Sequence, residues 1–155
     1  MRLEYFQLID RITELNLADR TIRTEATVPT QSTIFEGHFP GYPLMPGVLL
    51  IEAMAQTAGW LVIAATRFTR MPFLAAVKSA KLRTFVNPGE SLFLSAELVH
   101  EGSGFAMTKA RIRTDKAICD AEITFKVLDF PNDEFRVRMD EWAERLHFPR
   151  EALHA

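Results

Sequence analysis

The chain reads as an α+β domain in which an antiparallel sheet packs around one long apolar helix. Three observations predict it. Val48–Ala65 is almost wholly apolar, with Glu52, Gln56 and Thr57 as its polar exceptions, a run too long for a strand and suited to a buried helix. The segments on both sides alternate apolar and polar residues with the period of two that marks half-buried strands. The connections between the later segments, Asn87-Pro88-Gly89-Glu90, Glu101-Gly102-Ser103-Gly104 and Asp115-Lys116, are short enough to require antiparallel neighbours. With 155 residues, 48% of them hydrophobic, the chain can enclose one substantial core.

Taken in order, Leu3–Ile9 is expected as a short helical or extended lead-in and Leu8–Leu15 as a first strand. Asn16–Arg20 is polar enough to turn. In Thr21–Val28, Ile22, Thr24, Ala26 and Val28 alternate with Arg23, Glu25 and Thr27, completing a hairpin. Gly37–Gly47 holds three Pro and three Gly in eleven residues, which excludes regular helix or interior strand yet fixes the path of the backbone. The helix is expected to start near Pro46 or Gly47 and to end near Thr66–Arg70, where cations suit its negative end. About twenty residues make it about 30 Å long. Phe73–Val86, Ser91–His100, Phe105–Thr114 and Ala117–Leu128 are the remaining strands.

Residues 1–130 are read as one domain and 131–155 as a C-terminal amphipathic helical extension. Asn132, Asp133 and Glu134 supply a cap and early acids. Phe135, Met139, Trp142, Ala143 and Leu146 then share one face, opposite Arg136, Arg138, Asp140, Glu141, Glu144 and Arg145. Such a face is expected to pack on its own domain or on a neighbouring copy.

Composition excludes several classes. A net charge of −2 argues against a nucleic-acid surface. The single cysteine, Cys119, forms no internal disulfide and fits a reducing compartment. Met1–Asp10 carries Glu4 and Asp10 and lacks the apolar core of a signal peptide, so a cytoplasmic location is expected. Glu52 and Gln56 inside the apolar run argue against a membrane span.

The candidate chemistry gathers at the join of the Gly/Pro turn and the helix. A helix N-terminus presents unbonded N–H groups and partial positive charge, suited to an oxyanion or a polarised carbonyl. His38 brings a side-chain type that exchanges protons near neutrality. Glu52 lies about 9 Å along the helix, and Gln56, one turn later on the same face, can orient its carboxylate. A base, an acid and an oxyanion donor together describe proton abstraction beside a carbonyl followed by loss of a leaving group. Glu52 could equally be a buried carboxylate paired with Lys81 or Arg83. No third residue completes a metal site with His38 and Glu52, and His100, His147 and His154 read as surface residues.

Phe35 to Gln56, with the run Gly37-His38-Phe39-Pro40-Gly41-Tyr42-Pro43-Leu44-Met45-Pro46-Gly47 at its centre and the His38-to-Glu52 spacing intact, closely resembles the signature of the β-hydroxyacyl-[acyl-carrier-protein] dehydratases of bacterial fatty acid synthesis. The resemblance extends over about Tyr5–Leu128. It implies a hotdog fold, in which the sheet wraps around the central helix, and a homodimer with shared active sites, often a hexamer built as a trimer of dimers. It also implies that His38 removes the α-proton, that Glu52 helps the β-hydroxyl leave as water, and that Gly47 and Val48 N–H steady the enolate-like oxygen. Gln56, Phe39 and Pro40 support the pair, Phe73 and Leu74 are candidates for an acyl tunnel, and no cofactor is implied. Basic residues are expected where the acidic acyl carrier protein docks, with Arg67, Arg70, Lys78, Lys81 and Arg83 as candidates.

The chain departs from the family where Lys78-Ser79 replaces a common Asp-Lys and where Gln31-Ser32-Thr33-Ile34 leads to the histidine, changes expected at the carrier contact and the tunnel mouth. The alternatives are a dehydratase–isomerase, which typically has Asp where this chain has Glu52, a thioesterase of the same fold, and a non-catalytic acyl or carrier-protein binding module.

Overall fold

In the computed structural model, which describes residues 1–154, the strands are β1 (Arg11–Asn16), β2 (Thr21–Thr27), β3 (Met71–Leu82), β4 (Ser91–Gly102), β5 (Phe105–Arg113) and β6 (Ala117–Leu128). The helices are α1 (Thr33–Gly37), α2 (Gly47–Ala65) and α3 (Asp133–Arg145). All strands join one antiparallel sheet in the order β1-β2-β4-β5-β6-β3. The sheet curls around α2, which touches β2 through β6. This is the hotdog arrangement.

Alternation in the strands makes the inner surface. Ile22, Thr24 and Ala26 of β2, Leu92, Leu94 and Leu98 of β4, and Ala106, Ala110 and Ile112 of β5 point inward and are buried. The small residues of β5 leave room for a helix enclosed on nearly all sides. Thirteen of the nineteen residues of α2 are buried. Removing Leu50, Leu61 and Ile63 from water contributes roughly 5–9 kcal/mol at about 1.5–3 each. That outweighs the poor helix propensity of Gly59, Val62 and Ile63 near its end. Thr24 and Thr57, both buried, satisfy each other's hydroxyls at 2.8 Å across the seam between helix and sheet. The helix has the length and mean hydropathy, 1.7, of a membrane span, yet 67% of that stretch is buried inside the protein: it is the core helix.

Beyond the sheet, Asn132 accepts a hydrogen bond from Phe135 N–H at 2.7 Å and starts α3. Met139, Ala143, Leu146 and Phe148 then bury against the body. Trp60 of α2 meets Trp142 edge-on at 6.2 Å and Phe148 at 6.0 Å, so α3 is tied to the end of the core helix by aromatic contacts. The final residue of the segment read as an extension, Ala155, lies outside the described residues.

Element boundaries correct the sequence reading in three places. The first strand begins at Arg11 rather than Leu8, because Leu8 N–H donates to the Gln56 side chain instead of a strand. The strand expected over Phe73–Val86 runs Met71–Leu82, since the Val86 carbonyl is taken by Met45 N–H and the chain leaves the sheet to meet the Gly/Pro turn. The short helix α1, absent from the sequence reading, is capped by the Ser32 hydroxyl, which accepts from Ile34 N–H at 3.1 Å.

Candidate active site

Local folding fixes His38 before any ligand is present. His38 N–H closes α1 by donating to the Ile34 carbonyl. Phe39 and Tyr42 then exchange N–H···O bonds at 2.9 and 2.8 Å around Gly41, whose φ of +73° is the left-handed conformation that glycine adopts without penalty. Leu44 N–H returns to the His38 carbonyl at 2.9 Å, and the His38–Phe39 peptide is cis. The Phe39 ring stacks on the imidazole at 4.0 Å between centroids. His38 Nδ1 lies 3.0 Å from the Leu44 carbonyl. A carbonyl can only accept, so Nδ1 carries the proton and Nε2 of the neutral ring is left with its lone pair.

The ring opens into a cavity of about 460 Å³, where Gly47, Leu50, Leu82, Arg83 and Phe85 are among the lining residues. At the start of α2, Leu49 and Leu50 N–H both donate to the Pro46 carbonyl. Among the described residues, Gly47 and Val48 N–H make no hydrogen bond, as expected of the first donors of a helix. A Cβ on Gly47 would stand 2.5 Å from Leu82 Cδ1, so the absence of a side chain keeps this end of the helix open. Val48, the next residue, is 72% exposed in the single chain.

Glu52 is half-buried on the second turn of α2. Gln56 Nε2 donates to Glu52 Oε1 at 3.2 Å and to the Phe6 carbonyl at 2.6 Å, while Gln56 Oε1 accepts from Leu8 N–H at 3.1 Å. The amide thereby couples the carboxylate to the N-terminal segment. The alternative pairing of Glu52 with Lys81 or Arg83 does not occur: Arg83 is paired with Asp120 at 2.7 Å. Glu52 opens into a second cavity, of about 270 Å³, bounded by α2, by Pro72 and Leu74 of β3, and by side chains of α3. Leu74 lines this cavity. Phe73, its neighbour on the opposite face of the pleat, does not.

Within one chain, His38 and Glu52 therefore face different cavities. Among the described residues, no cluster of three His, Cys, Asp or Glu side chains has the geometry to hold a metal ion. The cations divide as well. Arg67 donates to the Leu153 carbonyl and Arg70 pairs with Asp129 at 3.3 Å. Lys81 and Arg83 line a wide groove of about 660 Å³ on the outer sheet face. Lys109, Arg111, Arg113 and Lys116 join them there, opposed by Asp115, Asp120 and Glu122. The strand residues among these four were visible in the sequence as cations at period two in Phe105–Thr114, but nothing in the sequence showed that they lie beside Arg83. Arg83 lines both the groove and the His38 cavity, so the two adjoin at that side chain.

Comparison with known proteins gives a consistent result. Residues 2–122 match the family model described as the FabA-like domain. The 3-hydroxyacyl-[acyl-carrier-protein] dehydratase FabZ of Lactiplantibacillus plantarum is 39% identical over 121 residues, 77% of this chain and 82% of that protein. Its counterpart in Clostridium acetobutylicum is 40% identical over 124 residues, 78% of this chain and 86% of the relative. Among solved structures, the conserved protein PA5202 of Pseudomonas aeruginosa superposes with a TM-score of 0.63 over 81% of this chain and 91% of its own at 21% identity, a likeness of fold.

Proposed function

This chain belongs to the FabA-like domain family, and from that we propose that it is a hydro-lyase that dehydrates 3-hydroxyacyl thioesters carried by acyl carrier protein to trans-2-enoyl thioesters in fatty acid biosynthesis. The observation that carries the assignment of roles is the Nδ1–H···O=C bond from His38 to Leu44, which leaves Nε2 as the free base in an apolar cavity. His38 Nε2 takes the α-proton. The electron pair of that C–H bond forms the Cα–Cβ double bond as the Cβ–O bond breaks, and Glu52 gives the leaving hydroxyl the proton that makes it water. Gly47 and Val48 N–H hold the thioester oxygen while it bears negative charge. Proton exchange with solvent returns His38 and Glu52 to their starting states.

That one chain turns the two side chains into different cavities supports a shared working site, in which His38 of one copy meets Glu52 of another across a homodimer. Two further features favour that assembly. The edge strand β3 has an unpaired backbone side, and it is continuous with exposed apolar residues, Leu82 within it and Phe85 just beyond. Val48, whose N–H is one of the oxyanion donors, also carries an exposed apolar side chain awaiting cover. A hexamer formed as a trimer of such dimers is a further step of the same kind. The basic groove, which adjoins the His38 cavity at Arg83, suits an acidic carrier protein delivering its thioester arm, with Lys81, Arg83, Lys109 and Arg111 as the docking cations. The reaction belongs in the cytoplasm.

The test is complementation between two inactive forms. His38→Ala and Glu52→Gln are each expected to lose turnover of 3-hydroxyacyl carrier protein while keeping their circular dichroism. When the two are unfolded and refolded together, about a quarter of wild-type activity should return, since half of random dimers are mixed and each rebuilds one of two sites. A mixture that stays inactive although mixed dimers are demonstrated would refute the shared site. Full activity in either single variant would refute that residue's role.

A further inference from the structure

The helix α3 lies wholly beyond the stretch matched by the family model, which ends at residue 122, yet it closes the cavity into which Glu52 opens. The cavity follows α2 from Glu52 to Ile63, about 16 Å by helical rise. One wall is built from α3 by Phe135, Met139 and Trp142. Phe6, from the turn before β1, lines the same cavity. Apart from Glu52 and Gln56, the lining residues are apolar or aromatic. A helix recruited only to cover the core would bury its whole apolar face. Met139 and Ala143 are buried, but the rings of Phe135 and Trp142 stay half-buried on the body although they form part of the apolar face. Trp142 is held edge-on to Trp60 at 6.2 Å, so its position is fixed by the core helix. At about 270 Å³ the cavity is just below the usual range for small-molecule sites, so one large ring in its wall decides what fits.

We propose that α3 is the specificity wall of this enzyme: Trp142, with Phe135 and Met139, sets the length and bulk of the acyl tail that reaches past Glu52. What the tail is attached to rests on the dehydratase reading above. The preference of the cavity for an apolar tail does not.

The chain has two tryptophans, Trp60 and Trp142, and both line this cavity, which gives a readout independent of turnover. S-acyl pantetheine thioesters brominated at the far end of a dodecanoyl tail should quench the intrinsic fluorescence more strongly than the same thioesters brominated beside the carbonyl. Equal quenching by the two would overturn the proposal. Turnover is then measured on β-hydroxybutanoyl to β-hydroxyhexadecanoyl carrier protein. In Trp142→Ala the ratio of kcat/KM for the dodecanoyl over the butanoyl substrate should rise about tenfold, the order that a change of one apolar pocket group gives. Trp142→Phe should fall between that and wild type. Val137→Ala, on the solvent side of α3, should leave the ratio unchanged. A ratio of two substrates within one variant is insensitive to the fraction folded. An unchanged ratio in folded Trp142→Ala would overturn the proposal, as would an equal change in Val137→Ala. Failure of wild type on every carrier-bound substrate would remove the dehydratase reading, and the bromine comparison would still decide the wall.

Discussion

Replacing Gln56 by methionine tests the coupling between the N-terminal segment and the candidate acid. Methionine keeps the length of the side chain but loses three hydrogen bonds, to the Phe6 carbonyl, Leu8 N–H and Glu52. Leu8 is fully buried, and stranding its amide costs about 1–3 kcal/mol. The bond to the Phe6 carbonyl contributes about 0.5–1.5 kcal/mol. The Glu52 bond, long at 3.2 Å and partly solvated, adds the least to stability. The expected loss is about 3 kcal/mol, which for a chain of 155 residues lowers Tm by about 6–12 °C in a circular dichroism melt. Turnover reports the Glu52 bond separately. If orienting the carboxylate is worth about 1.4 kcal/mol in the transition state, kcat falls about tenfold with little change in KM. A variant that melts within about 2 °C of wild type would refute the structural coupling, judged against the usual cost of a stranded buried amide. One with normal kcat would refute the orienting role.

Three other outcomes follow from single contacts. In Gly47→Ala the new methyl displaces the exposed end of Leu82, so stability should change by less than about 1 kcal/mol, helped by the better helix propensity of alanine. Its kcat/KM should nevertheless fall, and Leu82→Ala in the same chain should restore it. Glu4 accepts from the Ser32 hydroxyl at 2.6 Å and from Thr33 N–H at 2.9 Å, and these bonds, the serine's foremost, hold its pKa at about 2 instead of 4.5. A depressed carboxylate stabilises the fold above its unfolded value and loses that contribution as the pH falls. Glu4→Gln should therefore be less stable than wild type at neutral pH, with the two urea curves converging as the pH drops from 4.5 towards 2. Burial, with a smaller effect of the Asp120 charge, pushes the Cys119 thiol from 9.0 up to about 12, so in the native protein it should resist aromatic disulfide reagents until the fold opens. The raised value also means that stability is lost as the pH climbs from 9 towards 12, relative to Cys119→Val.

Much of this architecture is legible in the residues themselves because its signals are local. The apolar run of α2 and the alternation of β2, β4, β5 and β6 state which faces are buried, and Asn132 announces α3 by its capping chemistry. The Gly/Pro turn states that His38 is held rigidly. What stayed hidden depends on distant partners. Nothing in Leu8 or Gln56 shows that one will bond the other across 48 positions, so the start of the first strand was misplaced. The amphipathic face of α3 was plain, but not that it would look onto Glu52. The basic groove takes its cations from β3 and the residue just beyond it, from β5 and from the turn after β5, with the acids Asp120 and Glu122 from β6, and only strand order makes them neighbours. The separation of His38 and Glu52 into two cavities follows from the orientation of α2 relative to its loop, which spacing along the chain does not specify.

The sheet order also constrains how the protein comes into being. β2 pairs with β4, so residues 28 to 90, which include α1, the His38 turn, α2 and β3, form one long excursion closed by that pairing. Within the sheet, β3 pairs with β6, the last strand made. During synthesis the His38 turn and the core helix therefore leave the ribosome well before the strands that enclose them exist. α2, apolar enough to pass for a membrane span, must wait for its sheet. The β4-β5-β6 meander can assemble from neighbouring segments, but the cradle for the helix closes only when β2 docks on one of its edges and β3 on the other. Every residue assigned to the chemistry lies within that excursion. Catalytic competence is thus tied to the slowest class of contact in the fold, and a nascent chain that stalls before β6 presents its most apolar segment to chaperones instead of to its own sheet.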